Sequence, residues 1–257
     1  ELEMEMEIYV INLDKEHQRW QNIQRRLNPL GYHLNRFSGI YAKELPPHLV
    51  EEYKKQYFSK TNMSLSEMGC AISHLKLWQE IFENTNLDKA IVLEDDAVTY
   101  VKYNQLLKLI DDINLHEHNP DIIYLGKCCD HCLKYQKIKD NLYRTFRPMC
   151  LHAYIITRTG YDKILNNIAV NEPIDMYLAK LIEQEKLLAY TFHPSIFVQD
   201  ILDSNSSLRS RKLTINNITD CNDYMEDKQH EINKLWVAII FLLIIIILIF
   251  ILSNKYR

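Results

Sequence analysis

Five glycines in 257 residues leave little material for a phosphate-cradling loop. No G-x-x-x-x-G-K-[ST] run occurs, which argues against a nucleotide hydrolase or nucleotidyltransferase built on one. Blocks of Lys and Arg are lacking too. With 30 basic residues against 34 acidic ones, the formal charge of −4 offers no general attraction to nucleic acid. The opening ELEMEMEIYV alternates acids and holds no apolar stretch of signal-peptide type. No internal repeat is evident.

Apolar material is plentiful: 47% of residues are hydrophobic and 11% aromatic, enough for one substantial core. The longest apolar run, residues 235–252, contains no charged residue. Eighteen residues rising about 1.5 Å each span about 27 Å, close to the roughly 30 Å hydrocarbon core of a bilayer. The expected organisation is therefore a globular domain over 7–201, a polar tether over 202–234, a transmembrane helix over 235–252 with Trp236 near one interface, and a short basic tail over 253–257. This describes a single-pass, C-terminally anchored protein of an endomembrane or viral membrane. Lys228 and Lys234 before the span balance Lys255 and Arg257 after it, so charge does not choose the side on which the domain lies. The sequons at Asn62, Asn205 and Asn217 would be glycosylated only in a lumen.

Along the domain, EIYVINL is a β-branched run, and Trp20, Ile23 and Leu27 follow at helical spacing with Asp14 a natural N-cap. Arg19, Asn22 and Arg26 recur at i, i+3 and i+7, a polar face of the kind usually left to solvent. YHLNRFSGI is a second extended segment, closed by Gly39. SLSEMGCAISHLKLWQEIFE opens with Ser64 and Glu67 at capping-box spacing and sets Met68, Ile72, Leu75, Trp78 and Phe82 on one face. Gly69 and Ser73 lie four apart on that helix. Glycine there costs about 1 kcal/mol relative to alanine, which predicts a neighbour packed close. KAIVLEDDAVTY reads as a buried strand ending in acids, VKYNQLLKLIDDI as an amphipathic helix and DIIYLG as another strand. The alternation predicts an α/β sheet with flanking helices.

Glu94, Asp95 and Asp96 close a strand, where ligands collect in open α/β sheets. Adjacent carboxylates repel and raise one another's pKa, so the three either cap the next helix through its dipole or hold something cationic. Hard oxygen donors suit Mg²⁺ or Mn²⁺, which keep positions open for phosphate oxygens. Such an ion would neutralise a departing diphosphate.

Read in order, IYVINLDKEHQRW, SLSEMGCAISHLKLWQEI, IVLEDDA, DIIYLG, HAYIITRTGYDKIL and EPIDMYL resemble glycosyltransferase family 25, which includes lipopolysaccharide-type galactosyltransferases and collagen hydroxylysine galactosyltransferases. The resemblance covers about residues 7–200 and is carried most specifically by E-x-G-C-x-x-S-H-L together with L-E-D-D. It implies a GT-A-like, Rossmann-like sheet that binds a nucleotide sugar. The implied reaction is metal-dependent transfer of a hexose, galactose or glucose, from a UDP-sugar to a hydroxyl of a glycan or hydroxylysine, with inversion.

By the same resemblance, Glu94, Asp95 and Asp96 place the metal and the donor diphosphate, with Asp96 the direct ligand. Val10, Asn12 and Arg19 border the nucleotide, and Ser73 and His74 match the family's S-H pair. A hydrogen-bonded structural role for His74 competes with donor contact. Asp175 in EPIDMYL is either the base that deprotonates the acceptor or a helix cap. His193 completes the metal set with Asp96 and Glu94. The single Arg19 stands where the family often carries paired arginines. A reading from a different class is a catalytically inactive, membrane-tethered module that binds glycan or protein.

Of six cysteines, Cys129 and Cys132 form a C-x-x-C, with Cys150 and His152 further on. This set suits a structural Zn²⁺, and a disulfide or unlinked thiols are the alternatives.

Overall fold

The computed structural model describes residues 6–113, 119–130 and 134–200. The tether, the transmembrane helix and the basic tail expected beyond residue 201 lie outside the described residues, as does Cys132. Among the described residues no helix is long and apolar enough to cross a membrane.

Strand β1 (Ile8–Leu13) pairs in parallel with β2 (Leu34–Gly39) on one side and with β3 (Lys89–Glu94) on the other. Between them run α1 (His17–Leu27), α2 (Pro47–Tyr57) and α3 (Leu65–Asn84). A two-residue β4 (Ala97–Val98), α4 (Tyr103–Asp111), β5 (Ile122–Gly126) and the hairpin of β6 (Gln136–Lys139) and β7 (Leu142–Arg144) follow. The chain continues through β8 (Ala153–Thr157), α5 (Arg158–Asn166), α6 (Ile174–Glu183), β9 (Ala189–Phe192) and β10 (Val198–Gln199). Among the described residues eight strands join in the order β2-β1-β3-β8-β5-β9-β7-β6, and β10 pairs with β4 in a separate two-stranded ladder. The fold is mixed α/β. Strand β8 runs against both β3 and β5 in the middle of the sheet.

Period-two alternation divides the apolar residues between two cores. On β3, Ala90 and Val92 face the cluster that holds Trp78, Tyr154, Leu178 and Ile182, so α3 and α6 cover that side. Ile91 and Leu93 face the opposite cluster with Ile23, Leu27, Leu106 and Ile110, covered by α1 and α4. Burial on both faces explains why β3 reads as an unbroken apolar run rather than an alternating one.

Helix α3 begins as its sequence predicts: the Ser64 hydroxyl accepts from the Glu67 N–H, and Glu67 accepts from the Ser64 N–H. Gly69 has its close neighbour. A Cβ there would lie 2.6 Å from the Ile40 carbonyl oxygen, and the Ser73 hydroxyl donates to the Gly69 carbonyl while accepting from the Ile40 N–H. The segment after β2 is thereby clamped onto α3. Asp14 does not cap α1. Glu16 holds that position without a side-chain cap, because the register pairing Asn12 with Ser38 draws Asp14 to the Ser38 hydroxyl and to Arg36.

Candidate active site

The C-terminal ends of β1 and β3, the start of α1, the middle of α3 and the end of β10 enclose a cleft of about 160 Å³. Along β1 the even-numbered side chains are buried and the odd ones are not, so Ile11 and Leu13 line the cleft. Val10, expected to border a nucleotide, instead points into the core, on the opposite phase of the same alternation.

The acid triplet forms the cleft's polar side. Arg19 Nη2 lies 2.5 Å from Asp95 Oδ1 and 3.2 Å from Asp96 Oδ2. Asn12 is buried and donates to Asp95 Oδ2 at 2.7 Å, while its own Oδ1 accepts from Arg36. Asn12 therefore orients the acid. Gln199 donates to Asp96 Oδ2 at 2.9 Å, whereas Asp96 Oδ1 is buried with no hydrogen-bond partner among the described residues. Glu94 Oε1 is 3.2 Å from His74 Nε2. The helical face read as solvated is thus committed: Arg19 to this turn and Arg26 to Asp200.

These partners separate three otherwise similar acids. Burial pushes the Asp96 carboxyl up to about 7, with the charge of Glu94 adding to it and Gln199 and Arg19 opposing. Burial also raises Asp95, against the pull of Arg19 and Asn12. Burial acts to raise Glu94 as well, but the hydrogen bond from His74, with His152 and Arg19 further off, outweighs it and holds that carboxyl below its usual range.

Ser73 and His74 both line the cleft, Ser73 through the clamp already described. Asp175 sits in the first turn of α6, accepting from the Cys150 N–H at 3.2 Å and the Met176 N–H at 2.9 Å. Burial raises its carboxyl despite those bonds, and Glu94 adds to the rise. It stands outside the cleft lining. His193 is not brought to the acids. Its N–H donates to Asn141 at the β6–β7 turn and its ring packs edge-on against Tyr143, because β9 pairs with β7 and ends beside that hairpin.

The zinc set expected at Cys129, Cys132, Cys150 and His152 does not assemble as drawn, because Cys150 is joined to Cys128 in a disulfide. The Cys128 N–H donates to Met149 and the Met149 N–H to Cys129, and this pairing sets Cys128 rather than Cys129 opposite Cys150. His152 lies beside the bridge, its Nδ1 buried without a partner among the described residues and its imidazole pushed down by burial.

Residues 5–178 match the model of a family described as "Glycosyltransferase family 25 (LPS biosynthesis protein)". Procollagen galactosyltransferase 1-B of Xenopus laevis is 27% identical over 207 residues, which cover 73% of this chain and 33% of that protein. A glycosyltransferase 25 family member of Anopheles gambiae is 24% identical over 199 residues, 72% of this chain and 33% of that one. The chain thus spans about a third of the length of these relatives. The solved structure of mouse xyloside xylosyltransferase 1 in its apo form matches with a TM-score of 0.40 and 9% identity, covering 71% of this chain and 83% of that one.

Proposed function

The chain belongs to glycosyltransferase family 25, and from that premise we propose that it transfers a hexose, galactose or glucose, from a UDP-sugar to a hydroxyl of a glycan or hydroxylysine, on a GT-A-like sheet. The observation that carries this reading is Asp96 Oδ1, buried and without a partner among the described residues, at a cleft where one guanidinium meets the carboxylates of both Asp95 and Asp96. A buried oxygen left unpaired costs about 1–3 kcal/mol, and a hard cation satisfies it.

Asp96 is the direct ligand of that cation, and Glu94 supplies a second oxygen. Mn²⁺ or Mg²⁺ held there would offset the charge of the departing diphosphate. At about 160 Å³ the cleft suits the diphosphate, with the remainder of the nucleotide sugar lying outside it. Arg19 keeps Asp95 and Asp96 apart in role and adds positive charge beside the phosphates. His193, remote at the hairpin, is left out of the metal set. Asp175 is the base for an inverting transfer, its raised carboxyl suited to taking the acceptor proton. Residues 235–252 anchor this domain to a membrane.

Calorimetric titration with UDP-, GDP- and CMP-sugars, each with Mn²⁺ and again with EDTA, tests the reading. Binding of one UDP-hexose that EDTA abolishes is the expected result. If nothing binds with metal present, the inactive tethered module replaces the enzyme. Asp175→Asn should spare donor binding and stop transfer, and transfer persisting within about threefold removes Asp175 as the base.

A further inference from the structure

Behind Glu94 runs a line of hydrogen bonds with only one permitted direction. Trp78 Nε1 donates to the Tyr154 hydroxyl at 2.8 Å, and an indole nitrogen can do nothing else. The Tyr154 oxygen therefore accepts, and its own proton needs an acceptor. Among the described residues the one within reach is His74 Nδ1, at 2.8 Å. That leaves Nδ1 as the bare nitrogen of the ring and puts the proton on Nε2, which faces Glu94 Oε1 at 3.2 Å. Trp78, Tyr154 and His74 are exposed by 1% or less, so solvent does not supply another order. The opposite tautomer strands the Tyr154 proton in the core.

This direction matters because of a second set of donors. The thiol of Cys70, a ring nitrogen of His74 and a carboxylate oxygen of Glu94 lie within 4.8 Å of one another, and all three residues line the cleft beside Asp96. Thiolate, imidazole and carboxylate together are what Zn²⁺ selects. With its proton on Nε2, His74 has no lone pair to offer there. We infer that Tyr154, acting through His74, sets the metal selectivity of the cleft: it holds the imidazole as a donor to Glu94 and so denies the site to soft ions, leaving the hard oxygens of Asp96 and Glu94 to Mn²⁺ or Mg²⁺. Tyr154 is a positioning residue, and the inference rests on the proposed reading of the cleft as a divalent-metal site.

For an ion to take Nε2, the ring proton must move to Nδ1, and the Tyr154 proton then loses its acceptor. In Tyr154→Phe the Nδ1 position is unpaired before and after, so that penalty disappears. Two measurements on the full-length chain test this. Long-range proton–nitrogen correlation with ¹⁵N-histidine, the His74 signals identified by their loss in His74→Gln, should show a pyridine-type Nδ1 and a pyrrole-type Nε2. The reverse tautomer overturns the inference. This arm needs neither donor nor metal, so its failure is distinguishable from failure of the glycosyltransferase reading. In the second, Co²⁺ titration followed by the thiolate-to-cobalt charge-transfer band should show at least about tenfold tighter binding in Tyr154→Phe than in the wild type. The band should vanish when Cys70→Ser is added. Equal affinities overturn the inference, and if Tyr154→Phe does not fold, the tautomer decides.

Discussion

An ionised Asp96 beside Glu94 is a local liability when no cation is bound, and its pH dependence has a definite sign. Its carboxyl is raised from an ordinary 3.8 to about 7, so the folded protein holds that proton more tightly than the unfolded chain. The contribution to stability is fully present below about pH 4 and lost as pH rises through about 7. Asp96→Asn mimics the protonated form. In EDTA the variant should melt above the wild type at pH 8, by no more than about 4 kcal/mol, and level with it at pH 4. Thermal melts at the two pH values check this, and a pH-independent difference rejects it. The triplet itself was legible because three adjacent acids at the end of an apolar run need no tertiary information. Gln199 was not, since only the pairing of β10 with β4 brings it to Asp96, and no local spacing announces that. Tyr154 reads as one more apolar position of a strand until Trp78 and His74 are seen on either side of its hydroxyl.

Elements with a complete local signal form where the sequence places them. The capping box starts α3 at Leu65, and Gly69 meets the close contact its cost implied. Gly69→Ala adds helix propensity of about 1 kcal/mol but drives a methyl to 2.6 Å from the Ile40 oxygen, which cannot retreat without losing the Ile40 bond to Ser73. A net destabilisation of about 1–3 kcal/mol is expected by urea denaturation. A more stable variant would show that the clamp has slack. Asp14 failed as a cap because a neighbouring strand offered a better partner, a choice no single-element pattern records. The loops after β5 and before β8 are likewise set by each other, and their Cys128–Cys150 bridge should be worth about 2–4 kcal/mol. Reduction should lower the melting temperature accordingly, and an unchanged melt would mean the bridge adds nothing to the fold.

At the scale of the molecule, strand and helix alternation was readable past β3, with VKYNQLLKLIDDI forming α4 and DIIYLG forming β5. The order of the sheet was not. Strand β8 enters against its neighbours, and β6 and β7 form a short hairpin at the edge; such short strands carry little periodicity of their own. Among the described residues, the two core clusters run from Met6 to Phe197. A chain ending near residue 205 should therefore unfold in one cooperative transition, as followed by circular dichroism, and loss of that transition would assign the later residues to the core. The last described residues also close the cleft. Gln199 reaches the Asp96 carboxylate, the Asp200 N–H donates to the Asp96 carbonyl, and the Asp200 side chain is held by Arg26. Tension applied to the polypeptide beyond residue 200 would accordingly load these three contacts first, making the acidic turn, rather than the sheet, the point at which a pull from the C-terminal side is felt.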